Sequence, residues 1–173
     1  MRLLSRIISA YDRKIVKLQG WKAVPGSTLG FLYLVPLKYK GKPVIIEDGT
    51  VIKKGDLYYQ IHIINDNLSN LDTSPESLFN MMNEELKLVG EHMKKEENAD
   101  YKAVLAVTLL HKLVRKVGFT VNEIDNPIER KLVSLGENIL RAALRKEKDN
   151  GPKKKRVAKK CWISRDQILK INN

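Results

Sequence analysis

The chain has 173 residues, 43% of them hydrophobic and 30% charged, a balance that excludes a disordered chain and suffices for one ordinary hydrophobic core. It contains no apolar run of about 18 residues, so the sequence predicts no helix that spans a bilayer. The net charge of +12 favours anionic partners such as nucleic acid, anionic lipid or an acidic polymer, although ordinary solubility charge explains the excess equally well.

The first predicted element is an amphipathic helix over residues 3–18. Its apolar residues recur at helical spacing, and basic residues occupy the rest of the helical wheel. This pattern favours packing on a sheet; the alternative for a basic amphipathic helix is to lie flat on a membrane surface. Polar residues such as Arg6 and Asp12 interrupt what would have to be the apolar core of a signal peptide, so we expect a cytoplasmic protein.

The next segment predicts a group of antiparallel strands. Leu29–Tyr39 is rich in aromatic and branched residues, and Pro36 within it indicates a sheet edge or a bulge. Short strands flank the tight-turn signal Asp48-Gly49, and Lys54–Asp56 forms a second turn before the longest strand, residues 57–64. These signals predict a meander of three or four antiparallel strands.

The longest predicted strand has two unlike faces. Tyr59, Ile61 and Ile63 share an apolar face, which we expect to face the core. His62 then lies on the opposite face, together with Tyr58 and Gln60. If the segment is extended, the imidazole points away from the hydrophobic interior, toward solvent or a cavity.

The middle of the chain predicts a helix followed by a compact βαβ-like unit. Ser74-Pro75 begins the helix, with the serine as cap and the proline at the first helical position, and the helix continues to about Lys95. A buried strand over Tyr101–Thr108, a short helix over Leu109–Val117 and a strand over Phe119–Ile124 complete the unit.

The last third predicts a long helix, a basic segment, a strand and a short helix. The long helix runs from Asn126-Pro127 to about Lys146, and residues 149–160 are a basic loop or the lead-in to a strand. Cys161-Trp162-Ile163 forms that strand, and Ser164 caps the last helix. Cys161 excludes an intrachain disulfide because it is the single cysteine, and we expect a packed thiol.

Three histidines are candidates for chemistry, and His62 is the best placed. His92 and His111 are expected on solvated helix surfaces. His62 could transfer a proton in a small hydrolase or transferase if Asp48 or Asp56 oriented it. Both aspartates, however, are also explained as caps of their own turns. No phosphate-binding glycine loop, nucleophile elbow or paired histidines occur, and the sequence assigns no metal and no cofactor.

A basic string offers a second kind of site. Lys153, Lys154, Lys155 and Arg156 form a possible anion patch. Such a patch could contact phosphates, so it predicts binding of nucleic acid or another anionic surface through this segment.

Five different short motifs are spread over most of the chain: Leu37-x-Tyr39-x-Gly41, Asp48-Gly49-Thr50-x-Ile52-x-x-Gly55-Asp56, Ile61-His62-Ile63-x-Asn65, Ala106-Val107-Thr108-x-Leu110 and Trp162-Ile163-Ser164. Their order and spacing resemble the YkoP-like family of small bacterial proteins. The resemblance implies a domain found alone or attached to polysaccharide deacetylase-like modules, with no established activity. It also implies that Asp48, Asp56, His62 and Asn65 belong to the segment that forms a site. Ile64 stands where the family often has a second histidine, so a two-histidine metal pair is absent from this strand.

Taken together, these features predict one α+β domain over residues 1–173, with an antiparallel meander, a βαβ-like unit and helices packed on the sheet. The leading hypothesis is an accessory or binding domain for an anionic or polyhydroxylated ligand in envelope polysaccharide metabolism. Its predicted surface is the His62 face of the sheet together with the turns around Asp48 and Asp56, and His62 and Asn65 are its candidate ligand-binding residues. The alternatives are a small enzyme that uses His62 with a carboxylate, and nucleic-acid binding through the basic segment.

Overall fold

The computed structural model describes residues 21–30, 32–63, 72, 74–128, 130, 131, 133, 134 and 157–171. The predicted N-terminal helix, Ile64, Asn65, most of the segment predicted as a long helix from Asn126-Pro127 to about Lys146, and Lys153–Arg156 lie outside these residues. Among the helices described, none has the length and apolar character needed to cross a membrane.

A mixed six-stranded sheet forms the centre of the fold, with strand order β1-β2-β5-β6-β8-β7. Neighbouring strands are antiparallel except β5 and β6, which are parallel. Two further strands, β3 and β4, form a separate hairpin among the described residues. The strands are β1 (Lys22–Ala23), β2 (Leu32–Lys38), β3 (Val44–Ile45), β4 (Val51–Ile52), β5 (Leu57–Ile63), β6 (Tyr101–Thr108), β7 (Thr120–Asn122) and β8 (Lys159–Ser164). This architecture confirms the predicted α+β class.

In the described part of the chain, one face of the sheet is covered by the helices α1 (Pro75–Lys94), α2 (His111–Lys116) and α3 (Arg165–Lys170). The main core lies between them and the strands, and apolar side chains two positions apart along each strand supply it. Its sheet side includes Leu32, Leu34, Tyr59, Ile61, Val104, Ala106, Cys161 and Ile163, and its helix side includes Leu86, Val89, Met93, Val114 and Ile168.

The helix starts follow the predicted capping signals. The Ser74 side chain accepts a hydrogen bond from the Ser77 backbone N–H (3.3 Å), with Pro75 in the first turn. Ser164 caps α3, and Gln167 completes a reciprocal capping box with it. Both caps use a side-chain oxygen to satisfy a backbone donor that has no partner within its own helix.

The β3–β4 hairpin differs from the predicted meander. β2 pairs directly with β5, from Leu32 opposite Ile63 to Lys38 opposite Leu57, and the hairpin between them folds over the second face of the sheet. Ile46 and Ile52 of the hairpin are buried there against Trp162 and its neighbours. Burial of these two side chains places the hairpin on the face, where it cannot extend the ladder.

Pro36 lies at a sheet edge, as predicted. β1 pairs with Tyr33 and Leu34, so no described strand continues this edge of β2 at Pro36. The Tyr39 N–H points toward β5, where it donates to the Asp56 carbonyl (2.8 Å). Backbone N–H groups alternate along a strand, so the proline nitrogen faces away from β5 and interrupts no ladder bond.

The predicted βαβ-like unit is present with one strand inserted. β6 and β7, joined by α2, both run antiparallel to β8, which lies between them. Gly118 ends the connecting helix with a φ of 98°, in the left-handed region that favours glycine. The parallel neighbours β5 and β6, joined by α1, form a second crossover that the sequence pattern did not predict.

Candidate functional site

The position of His62 follows from β5. The segment is extended over Leu57–Ile63, as predicted, and Tyr59 and Ile61 are buried beneath the helices. Alternation along the strand places His62 on the opposite face, where the register sets it beside Tyr33 of β2. The His62 side chain is half-buried.

An indole ring packs on the imidazole. Trp21, which directly precedes β1, stacks on His62 with ring centroids 3.9 Å apart and an interplanar angle of 14°. Both side chains are half-buried, as are Gln60 and Tyr33. We refer to Trp21, Tyr33, Gln60 and His62 as the His62 surface.

The imidazole of this surface is neutral at physiological pH. Burial lowers the pKa of His62 to about 4 because the protonated ring loses hydration. A neutral imidazole has one nitrogen that donates a hydrogen bond and one that accepts. The His62 surface therefore offers hydrogen bonds but no positive charge from this ring.

Tyr58, predicted on the same open face, is covered. Its ring contacts Trp162 and Tyr39, with centroids 5.1 and 6.1 Å away, beneath the β3–β4 hairpin. The exposed part of this face is consequently smaller than predicted, and begins at Gln60.

Asp56 does not lie near His62. Its Oδ2 accepts from the Lys53 backbone N–H (2.9 Å), and its Oδ1 pairs with the Lys102 ammonium (2.9 Å). These interactions, the backbone hydrogen bond foremost, lower the pKa of the carboxyl. Asp56 precedes His62 by six residues of extended chain, which corresponds to about 20 Å.

Asp48 also lies at the far end of β5. Its Oδ1 accepts from the Thr50 backbone N–H (3.0 Å), and its Oδ2 accepts from the Ser164 hydroxyl of β8. Burial alone would raise the pKa of Asp48, but these hydrogen bonds outweigh it and lower the pKa. Ser164 lies two strands away from β5 and aligns, through Ala103 of β6, with Tyr58. Tyr58 is itself about 13 Å along β5 from His62.

The structure therefore does not bring Asp48 or Asp56 to His62, and it confirms that both cap their own turns. Asn65 and the basic string Lys153–Arg156 lie outside the described residues, and those assignments stay predictions. Within the described part of the chain, no three His, Cys, Asp or Glu side chains are grouped closely enough to hold a metal ion.

The prediction that His92 and His111 are solvated was wrong, since both are half-buried and burial lowers the pKa of each. The cause at His92 is the 3-10 turn Glu96–Asn98, which folds back over the end of α1. The Asn98 amide donates to the His92 carbonyl (2.7 Å) and accepts from the Tyr59 hydroxyl (2.8 Å). Helical spacing carries no information about such a turn.

The expected packed thiol is confirmed. Cys161 is fully buried in the main core, and burial raises its pKa to about 12. A thiol with such a pKa is not an effective nucleophile at neutral pH.

Sequence reasoning missed two side chains of interest. Trp21 lies in a connecting segment outside the predicted elements, and an unassigned tryptophan there was the available signal. Glu85 of α1 has 1% of its surface exposed and accepts a hydrogen bond from the Ser27 hydroxyl. It borders a groove of about 600 Å³ between α1 and the loop that contains Ser27. Its other carboxylate oxygen is buried without a partner among the described residues.

Comparison with known proteins bears out the resemblance drawn from the motifs. The YkoP domain family matches residues 1–172. Over 104 residues the chain is 33% identical to a Bacillus subtilis (strain 168) protein named "Uncharacterized protein YkoP". That match covers 54% of this chain and 55% of the relative, so the chain spans about half the length of the curated relative it matches. No solved structure matches significantly. Since the family match extends over nearly the whole chain, this protein belongs to the YkoP domain family.

Proposed function

We propose that this protein is a binding domain for a polyhydroxylated ligand, a saccharide, which it holds on the His62 surface. The observation that carries the proposal is the stacked pair of Trp21 and His62 on the sheet face opposite α1, α2 and α3.

Aromatic rings and sugars have matching surfaces. A sugar ring presents a face of C–H bonds, which packs against the electron-rich face of an indole or phenol ring. Trp21, just before β1, and Tyr33 of the neighbouring β2 provide two such rings, and His62 holds the indole in place by stacking. A fixed aromatic ring loses little conformational entropy when a ligand binds, which favours recognition.

The hydrogen-bonding groups beside these rings suit hydroxyls. Gln60 provides an amide with donors and an acceptor, and neutral His62 provides one of each. Sugar hydroxyls both donate and accept, so they can use this mixture. An anionic ligand would instead need a positively charged side chain on this surface. His62 does not provide one at neutral pH, because its pKa is lowered. We therefore favour the hydroxylated ligand over the anionic one.

Membership of the YkoP domain family is compatible with this proposal, because the resemblance drawn from the motifs links such domains to polysaccharide deacetylase-like modules. A saccharide-binding domain would serve such a module by holding the polymer near it. The enzyme alternative has weaker support: a general base must lie about 2.6–3.2 Å from its partner, whereas Asp48 and Asp56 lie far along the sheet.

Tryptophan fluorescence tests the proposal, because the two tryptophans differ in burial. Trp162 is 1% exposed, whereas Trp21 is half-buried and faces the proposed ligand. We expect millimolar β-linked glucose and N-acetylglucosamine oligomers to change the Trp21 emission and to shift its indole N–H signal in NMR spectra.

A matched pair of variants controls for loss of structure. Trp21→Leu removes the ring stacked on His62, and Tyr101→Leu removes a ring stacked on Tyr59 on the opposite, helix-covered face (centroids 4.0 Å apart). Saccharide binding should be lost in Trp21→Leu and kept in Tyr101→Leu. Equal saccharide binding by wild type and Trp21→Leu would refute the proposal. So would a glycan array on which wild type binds no saccharide.

A further inference from the structure

The β3–β4 hairpin carries apolar side chains on its outer face. Ile45 is 67% exposed and Val51 is 46% exposed, and the two are direct cross-strand partners. Ile46 and Ile52 alternate with them and are buried against the sheet. The hairpin therefore has one apolar side for the core and a second that the described residues do not cover.

Exposed basic residues surround this outer pair. Lys53 follows β4 on the same outward-facing row as Val51, by strand alternation. Lys40, Lys42 and Lys54 lie in the turns on either side, and all four lysines are exposed.

Exposed acidic residues are fewer than exposed lysines around the hairpin. Asp56 is paired with Lys102, and the exposed carboxylates of the turn are Glu47 and Asp48, although Asp48 also accepts a hydrogen bond from Ser164. The balance of exposed charge around Ile45 and Val51 is thus positive, in agreement with the net charge of +12 for the whole chain.

The hairpin is also held firmly in place. The Glu47 backbone N–H donates to the Thr120 hydroxyl of β7 (2.9 Å), and Asp48 joins the turn to Ser164 of β8. Such anchoring means that the outer pair is presented without an ordering cost when a partner binds.

We propose that the outer face of the β3–β4 hairpin docks on membranes rich in anionic lipid, with Ile45 and Val51 entering the headgroup region and the four lysines contacting lipid phosphates. Interfacial binding of this kind combines buried apolar area with attraction between basic residues and anionic headgroups. The positive charge around Ile45 and Val51 favours a partner that combines an apolar interior with negative charge at its surface, as a bilayer of anionic lipid does, over a neutral partner. The inference is independent of the saccharide proposal, because the hairpin and the His62 surface share no residue.

Vesicle co-sedimentation tests the inference with the whole chain. Wild type should bind vesicles of phosphatidylglycerol mixed with phosphatidylcholine, and should not bind vesicles of phosphatidylcholine alone. Added salt should weaken the binding, because it screens the lysines. Failure to bind phosphatidylglycerol vesicles at low salt would overturn the inference.

Conservative variants assign the binding to the hairpin. Ile45→Thr with Val51→Thr keeps β-branched side chains, which suit strands, while it removes apolar groups. We expect this double variant to bind phosphatidylglycerol vesicles about tenfold more weakly. Ile128→Thr is the control, since Ile128 is equally exposed (68%) but lies outside the hairpin, and it should bind as wild type does.

Charge and aromatic variants complete the test. Lys53→Gln and Lys54→Gln should each weaken binding about fivefold, the effect of one basic residue near an anionic surface. Val51→Trp should strengthen it, since tryptophan favours the membrane interface. Undiminished binding by the double threonine variant would overturn the inference. Light scattering provides a second outcome that would overturn the inference: wild type is a dimer and the double threonine variant is a monomer. The outer face of the hairpin would then bind a second copy of this chain.

Discussion

Acidification should destabilise this protein through His62. Burial holds the pKa of the imidazole at about 4 in the folded state, whereas an unfolded chain restores the ordinary value of 6.5. Between these values the unfolded state binds the proton and the folded state does not. The free energy of unfolding therefore falls as the pH drops from about 6.5 to about 4.

The size of the effect follows from the shift of this pKa. Each pKa unit corresponds to about 1.4 kcal/mol, so the full shift of His62 is worth up to about 3 kcal/mol of stability between neutral and acidic pH. That is a large share of the net stability of a domain, typically about 5–15 kcal/mol.

Urea denaturation of wild type and His62→Phe over this pH range isolates the contribution. Phenylalanine keeps an aromatic ring against Trp21 but does not titrate. His92 and His111, whose pKa values burial also lowers, contribute equally to both proteins and cancel in the difference. We expect the stability of wild type relative to His62→Phe to fall by up to about 3 kcal/mol on acidification.

An NMR titration of the His62 ring protons provides the direct check. The reasoning requires a midpoint well below the ordinary value of 6.5. A midpoint near that value, or parallel pH profiles for the two proteins, would show that the ring is hydrated and that burial does not control its protonation.

Three further substitutions test the packing around the described sites. Glu85→Gln should stabilise the protein by about 1 kcal/mol at neutral pH, because burial raises the pKa of Glu85 while the amide can still accept from Ser27. This gain should shrink toward acidic pH, where the wild-type carboxyl is protonated; a gain independent of pH would contradict the reasoning. Ser164→Ala should cost about 1–2 kcal/mol in urea denaturation, since it removes the helix cap and the donor to Asp48. Gly49→Ala should cost about 1 kcal/mol from its positive φ of 87° alone, because an added methyl group meets no atom within 4 Å. A cost near zero in thermal unfolding would refute that explanation.

Local patterns predicted much of the fold, because they depend on residues near each other in sequence. Alternation identified β5 and its core face, the capping serines marked two helix starts, and the Asp48-Gly49 signal located a real turn. The pairing partner of each strand was harder to predict from the sequence. Strands of two residues, such as β3 and β4, satisfy the same local pattern whether they extend a sheet or fold over it, and burial of Ile46 and Ile52 decides between them.

The candidate site was less predictable because it depends on contacts between distant segments. The exposed face of His62 could be derived from strand periodicity. The ring that stacks on it, Trp21, comes from another part of the chain and has no periodic relation to β5. A charged residue such as Glu85 is expected to be exposed to solvent, yet Glu85 is buried and accepts a hydrogen bond from Ser27 of the neighbouring loop. Neither contact leaves a mark in the local sequence.

The place of β8 in the sheet has a consequence for how the chain reaches its native state. A folding intermediate, or a nascent chain that lacks this late segment, can form β6 and β7 but not the strand between them. Both strands then expose unpaired backbone edges, which are templates for aggregation. Such long-range pairing also slows folding, since a long loop must close before any contact compensates for it. Chaperone dependence during synthesis is the expected outcome of this order of strands.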